Sequence, residues 1–159
     1  MSEPLVIILM GSKADMEHCR KISAACEQYG LESVLRIASA HRTPEHALAI
    51  LKEYEADARP KVYITVAGRS NALSGFTDGS VAAPVIACPP ASESFGGMDV
   101  FSSLRMPSGI APAVVLEPAN AALLAAKIFG VANAEVRERV KVSQRRALEK
   151  IMEDDTSVR

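Results

Sequence analysis

Pro4-Leu5-Val6-Ile7-Ile8-Leu9-Met10-Gly11-Ser12 opens the chain with an unbroken apolar run that ends on a glycine and a serine. A strand with one face in water alternates apolar and polar residues. An unbroken run is buried on both faces, as in a parallel sheet covered by helices. The pattern then changes period. Met16, Cys19, Ile22, Cys26 and Tyr29 recur every three or four residues, which predicts a helix ending at Gly30. Leu31 to Ile37 reads as a second strand. Thr43 stands as N-cap before Pro44 and Glu45, opening a helix to about Ala58 that buries Ala47, Ile50, Leu51 and Tyr54. Pro60 breaks it.

The alternation continues to the end of the chain. Strands are expected at 61–66, 84–88 and 111–116, with short helical stretches at 70–79 and 98–104 and a polar loop at 91–97. An Ala/Leu-rich helix follows from Glu117-Pro118 to Phe129, stopped by Gly130. The last helix, 133–153, is charged and carries a thin apolar stripe of Val136, Val140, Ala147 and Ile151; residues 154–159 are expected to fray. Such alternation without repeats predicts an α/β chain with a three-layer, doubly wound parallel sheet, flavodoxin- or Rossmann-like. At 159 residues, one catalytic domain over 1–159 is expected. The thin stripe has two homes, a neighbouring subunit or the chain's own sheet; the first is expected, with the terminal helix at a subunit interface.

Composition narrows the function classes. A net charge of -1 argues against a dedicated nucleic-acid binder. Aromatics make up 4 % of the chain and Trp is absent, so the core must be aliphatic. No apolar stretch approaches a membrane span. Cys19, Cys26 and Cys88 lack metal-ligand spacing. An odd cysteine count with no signal-peptide pattern points to a cytoplasmic location.

Chemistry in such folds sits in the loops after the strands. The second loop, Ser39-Ala40-His41-Arg42-Thr43-Pro44, sets a proton carrier beside a phosphate binder. The first, Gly11-Ser12-Lys13-Ala14-Asp15, lets backbone approach an anion at a helix start. Ser12 and Asp15 also stand at capping-box spacing, so capping and ligand binding both remain open there. In the third, Ala67-Gly68-Arg69-Ser70-Asn71, Ser70 and Asn71 either bond a ligand or cap the next helix. His18 and His46, inside helices, are expected to be solvated. No dinucleotide fingerprint, Walker A motif or nucleophile elbow is present, and no His/Cys/carboxylate cluster suggests a metal. Chemistry without cofactor or metal is expected.

These three loops, with Ser102-Ser103-Leu104-Arg105-Met106-Pro107-Ser108-Gly109 and the helix Asn120 to Ala126, resemble the purine-biosynthesis carboxylases acting on 5-aminoimidazole ribonucleotide. The likeness covers nearly the whole chain. That family has two branches: direct carboxylases using carbon dioxide, and mutases that move a carboxylate from the exocyclic nitrogen to carbon four. Mutases typically carry a histidine before Leu-Pro-Gly in the third loop. Ala72-Leu73-Ser74-Gly75, the Arg-Ser-Asn run and Ala87-Cys88-Pro89-Pro90 resemble the carboxylase branch. Arg42 is instead the mutase residue, and Ala14 replaces a serine common to the family. The resemblance implies His41 as the proton-transferring residue and Ser12 and Arg42 on the phosphate. It implies Asp15 on the ribose, with Ser39, Gly68, Ser70 and Asn71 on the carboxylate side; Gly11, read from its place after the first strand, lets the backbone come close to a ligand. It also implies 5-aminoimidazole ribonucleotide and carbon dioxide as substrates, and a tetramer or octamer, with no nucleic acid and no membrane. A mutase, and a non-catalytic nucleotide-binding domain on the same fold, are the alternatives.

Overall fold

The computed structural model describes residues 3–159. Five strands form one parallel sheet: β1 (Leu5–Met10), β2 (Glu32–Ile37), β3 (Lys61–Val66), β4 (Val85–Ala87) and β5 (Ala113–Val114). Their order is β2-β1-β3-β4-β5. The chain therefore reverses direction across the sheet between β1 and β3, and the crevice beyond those two strand ends is where open α/β sheets take ligands.

The opening apolar run is explained by its two neighbours. Every residue of β1 is fully buried. Val6, Ile8 and Met10 face one apolar cluster, with α1 (Met16–Gln28) and α5 (Pro118–Gly130). Leu5, Ile7 and Leu9 face the other, with α2 (Pro44–Glu55) and α3 (Ala72–Asp78). Successive side chains point to opposite faces, so a strand covered on both must be apolar throughout. Fully burying each large aliphatic side chain is worth roughly 1.5–3 kcal/mol.

Two segments differ from expectation, and the two expected glycine stops work for different physical reasons. β5 is only two residues, because Pro112 just before it has no N–H to give a ladder. A tight 3-10 segment, Ser94–Val100, precedes the one-turn α4 (Phe101–Leu104), and Phe95, Gly96 and Gly97 within it have positive φ. Gly30 ends α1 in the left-handed region at φ 66°, with Leu31 N–H bonded to the Cys26 carbonyl. Gly130 acts differently. It is the last residue of α5, and a Cβ there would stand 3.3 Å from Arg137 Cα. Its lack of a side chain lets α5 approach α6 (Ala134–Ser157).

The final helix divides in two. Asn133 caps it, its Oδ1 accepting from Glu135 and Val136 N–H. Val136 and Val140 pack into the core beside α1 and α5. Beyond them Leu148, Ile151 and Met152 are exposed. Residues 154–157, expected to fray, continue the helix. Among the described residues, no helix is long and apolar enough to cross a membrane.

Candidate active site

A cavity of about 510 Å³ lies at the C-terminal edge of β1 and β3. Three strand-end loops and the turn after β4 enclose it, and its volume suits a small-molecule ligand.

The second loop is tied to itself. Thr43 N–H donates to the Ser39 carbonyl at 2.9 Å, and Thr43 Oγ1 accepts from Ser39 N–H at 3.0 Å. Arg42 N–H donates to Ser39 Oγ at 3.2 Å. Thr43 holds the N-cap position of α2 but makes no side-chain capping bond. Its hydroxyl closes the loop instead, leaving His41 and Arg42 exposed at the tip, where both line the cavity.

In the first loop Gly11 N–H is bonded to the Val66 carbonyl at 2.9 Å, which fixes the crevice floor. Neither Ser12 nor Asp15 makes a side-chain capping bond, so the capping-box reading falls. Ser12 Oγ donates instead to Asp15 Oδ2 at 3.3 Å, and both line the cavity.

The third loop divides between cavity and scaffold. Gly68 and Ser70 line the cavity together with Ser39. Asn71 does not. Its Oδ1 accepts from Ser74 N–H, and its Nδ2 donates to Ser74 Oγ at 2.7 Å and Ser103 Oγ at 2.9 Å. Thr65 Oγ1 lies 2.7 Å from the same Ser74 hydroxyl. This buried polar cluster caps α3 and binds it to α4, so of the two roles open to Asn71 the capping one is seen, and its side chain works behind the wall rather than lining the cavity. Each member is satisfied by a neighbour, which burial requires.

Arg69 lines the cavity but did not stand out in the sequence. Its φ is 57°, left-handed for a residue with a Cβ, which costs about 1–2 kcal/mol. The signal that could have found it is the logic applied to Arg42: a cation in a loop beyond a buried strand. Leu73 and Pro90 add apolar wall, and Ser92 a hydroxyl.

His18 is not solvated as expected. It is half-buried, with Nε2 3.4 Å from Cys88 Sγ, and burial pushes its pKa down. His46 is exposed. All three cysteines are buried thiols, and burial raises each to about 12. Such thiols are poor nucleophiles and ligands at neutral pH.

The family model described as AIR carboxylase matches residues 5–150. The chain belongs to the AIR carboxylase family. It is 58 % identical over 156 residues to phosphoribosylaminoimidazole carboxylase of Treponema denticola, covering 98 % of both chains. To the protein of that name from Archaeoglobus fulgidus it is 52 % identical, over 96 % of this chain and 84 % of that one. A rat bifunctional phosphoribosylaminoimidazole carboxylase/phosphoribosylaminoimidazole succinocarboxamide synthetase is 42 % identical over 99 % of this chain, which spans 37 % of that protein. The crystal structure of Treponema denticola PurE superposes with a TM-score of 0.97 at 58 % identity, covering 99 % of each chain. This chain is an enzyme of that family, and the non-catalytic binding-domain alternative is set aside.

Proposed function

We propose that the chain carboxylates carbon four of 5-aminoimidazole ribonucleotide directly with carbon dioxide. The observation that carries this reading is the cavity itself. His41 is the one histidine lining it, Arg42 stands beside His41, and the third loop has Ala72 where a mutase carries a second histidine. Relatives named phosphoribosylaminoimidazole carboxylase support the same reading.

The aminoimidazole ring is enamine-like and nucleophilic at carbon four. That carbon bonds to carbon dioxide, and one C=O electron pair moves onto oxygen as the new carboxylate. His41 accepts the proton from carbon four, and the C–H electron pair restores aromaticity. Arg42 and Ser12 hold the phosphate, Gly11 lets the backbone come close, and Asp15 takes the ribose. Ser39, Gly68 and Ser70 line the carboxylate side, while Asn71 holds that wall from behind. Keeping carbon dioxide against the ring is a problem of positioning.

The exposed apolar residues Phe95, Met98, Phe101 and Leu104, with the outer half of α6, suit burial against other copies of the chain in a tetramer or octamer. Three buried free thiols accord with a reducing cytoplasm. Arg42, the mutase residue, keeps the mutase as the second reading.

The test is turnover with 5-aminoimidazole ribonucleotide plus bicarbonate, and separately with its nitrogen-carboxylated derivative, each against a control without enzyme. Formation of the carbon-carboxylated product in the first arm, scaling with dissolved carbon dioxide, is expected. Turnover in the second arm alone makes the protein a mutase.

A further inference from the structure

Arg69 is the one cavity-lining residue whose backbone is forced. If the loop needed only a left-handed turn, glycine would supply it without steric cost. An arginine there bears a backbone cost that a glycine would not, and strain of this kind gathers at functional sites. The surrounding structure holds it from both sides. Arg69 N–H donates to Asp99 Oδ2 at 2.9 Å. Ser102 Oγ lies 2.7 Å from the Arg69 carbonyl and 2.8 Å from the Asp99 carbonyl, and it accepts from Asn71 N–H at 3.0 Å. Both peptide groups of the strained residue are therefore gripped from 30 or more residues away, by Asp99 just before α4 and Ser102 within it. The guanidinium, by contrast, takes part in no ion pair and no side-chain hydrogen bond among the described residues. It is a planar fork of donors, on a residue that lines the cavity, with nothing of the chain's own to bind.

The cavity then has two free arginines with different settings. Arg42 follows His41 on β2's loop, across the crevice from Arg69 on β3's loop. We propose that Arg69 is the specificity-determining residue for the carboxylate formed on the imidazole ring, and that Asp99 and Ser102 are the positioning residues that aim it. An arginine fork matches a carboxylate in two parallel hydrogen bonds. This assignment rests on the carboxylase reading of the site. It adds to that reading a way for the enzyme to tell the carboxylated nucleotide from the uncarboxylated one.

The experiment is calorimetric titration with 4-carboxy-5-aminoimidazole ribonucleotide and with 5-aminoimidazole ribonucleotide, in a His41→Asn background so that neither is converted. Arg69→Gly should weaken the carboxylated nucleotide at least tenfold, change the uncarboxylated one less than twofold, and leave Tm unchanged or raised. Arg69→Lys, which keeps charge but loses the fork, should fall between. Asp99→Ala should shift the same affinity in the same direction by a few-fold, and Asp99→Asn, which still accepts from Arg69 N–H, should restore it. In an Arg69→Gly chain, Asp99→Ala should add nothing. Equal losses for both nucleotides, or none for either, would overturn the assignment. So would an Asp99→Ala effect of the same size with and without Arg69. The parent reading fails separately: it falls if His41→Asn still converts substrate, whatever the affinities, or if neither nucleotide binds with Arg69 in place.

Discussion

The two ends of the sheet handle charge in opposite ways. At the N-terminal edge, Arg59 is bonded to Asp57 and Glu32, Lys61 Nζ donates to the Asp57 carbonyl, and Tyr63 OH donates to Glu55. The Arg59 guanidinium holds the Asp57 carboxyl below the usual carboxylate range. At the C-terminal edge, the side chains of His41, Arg42 and Arg69 have no partner among the described residues, while Ser12 Oγ donates to Asp15 and Asp99 accepts from the Arg69 backbone N–H. Paired charges at one end hold the fold. Free charges at the other stand around a cavity, where a ligand can complete them. The difference agrees with the site proposed at the C-terminal edge.

Substitutions can sharpen or break that contrast. Arg42→Ala should raise KM for 5-aminoimidazole ribonucleotide at least tenfold without lowering Tm, because the side chain supports nothing within the chain. Arg59→Ala should do the reverse, lowering Tm by a few degrees with KM unchanged. If both lowered Tm alike, the free and paired ends would not differ as described.

A smaller effect concerns His18, the one histidine built into the scaffold. Burial is the main cause of its lowered pKa; Lys21 adds to it, while Asp15, Glu117 and the contact with Cys88 oppose it. The folded state therefore favours the neutral ring. In the unfolded chain the ring protonates near its ordinary value of about 6.5. The stabilisation is present above that value and is lost as pH falls through the lower folded pKa. Tm followed from pH 8 to pH 5 should fall less steeply in His18→Gln than in the parent chain. Equal slopes would show that His18 gains its proton as easily folded as unfolded.

Much of the fold is legible in the sequence, because periodicity reports burial. The opening run announced a strand covered on both faces, and Lys61–Val66 appears with the expected bounds. Gly30 was readable as a stop because its helix ends there. Gly130 looked the same in sequence, but its reason is contact with Arg137, a tertiary fact with no local sign. Asn71 reads two ways in the sequence, as ligand contact or cap, for a similar reason. Its partner Ser103 is 32 residues away, and nothing in the motif says which polar loop residues spend their hydrogen bonds on one another. Arg69 carries no local sign of its positive φ. The terminal helix outruns its expected end, with the Arg159–Asp155 pair one turn apart closing its last turns.

On the proposed mechanism, His41 moves the proton at carbon four. Its most direct test compares His41→Asn with the parent chain under 5-aminoimidazole ribonucleotide and bicarbonate, measuring turnover and nucleotide affinity together. The account predicts a rate lower by orders of magnitude with affinity kept. Turnover near that of the parent chain would contradict it.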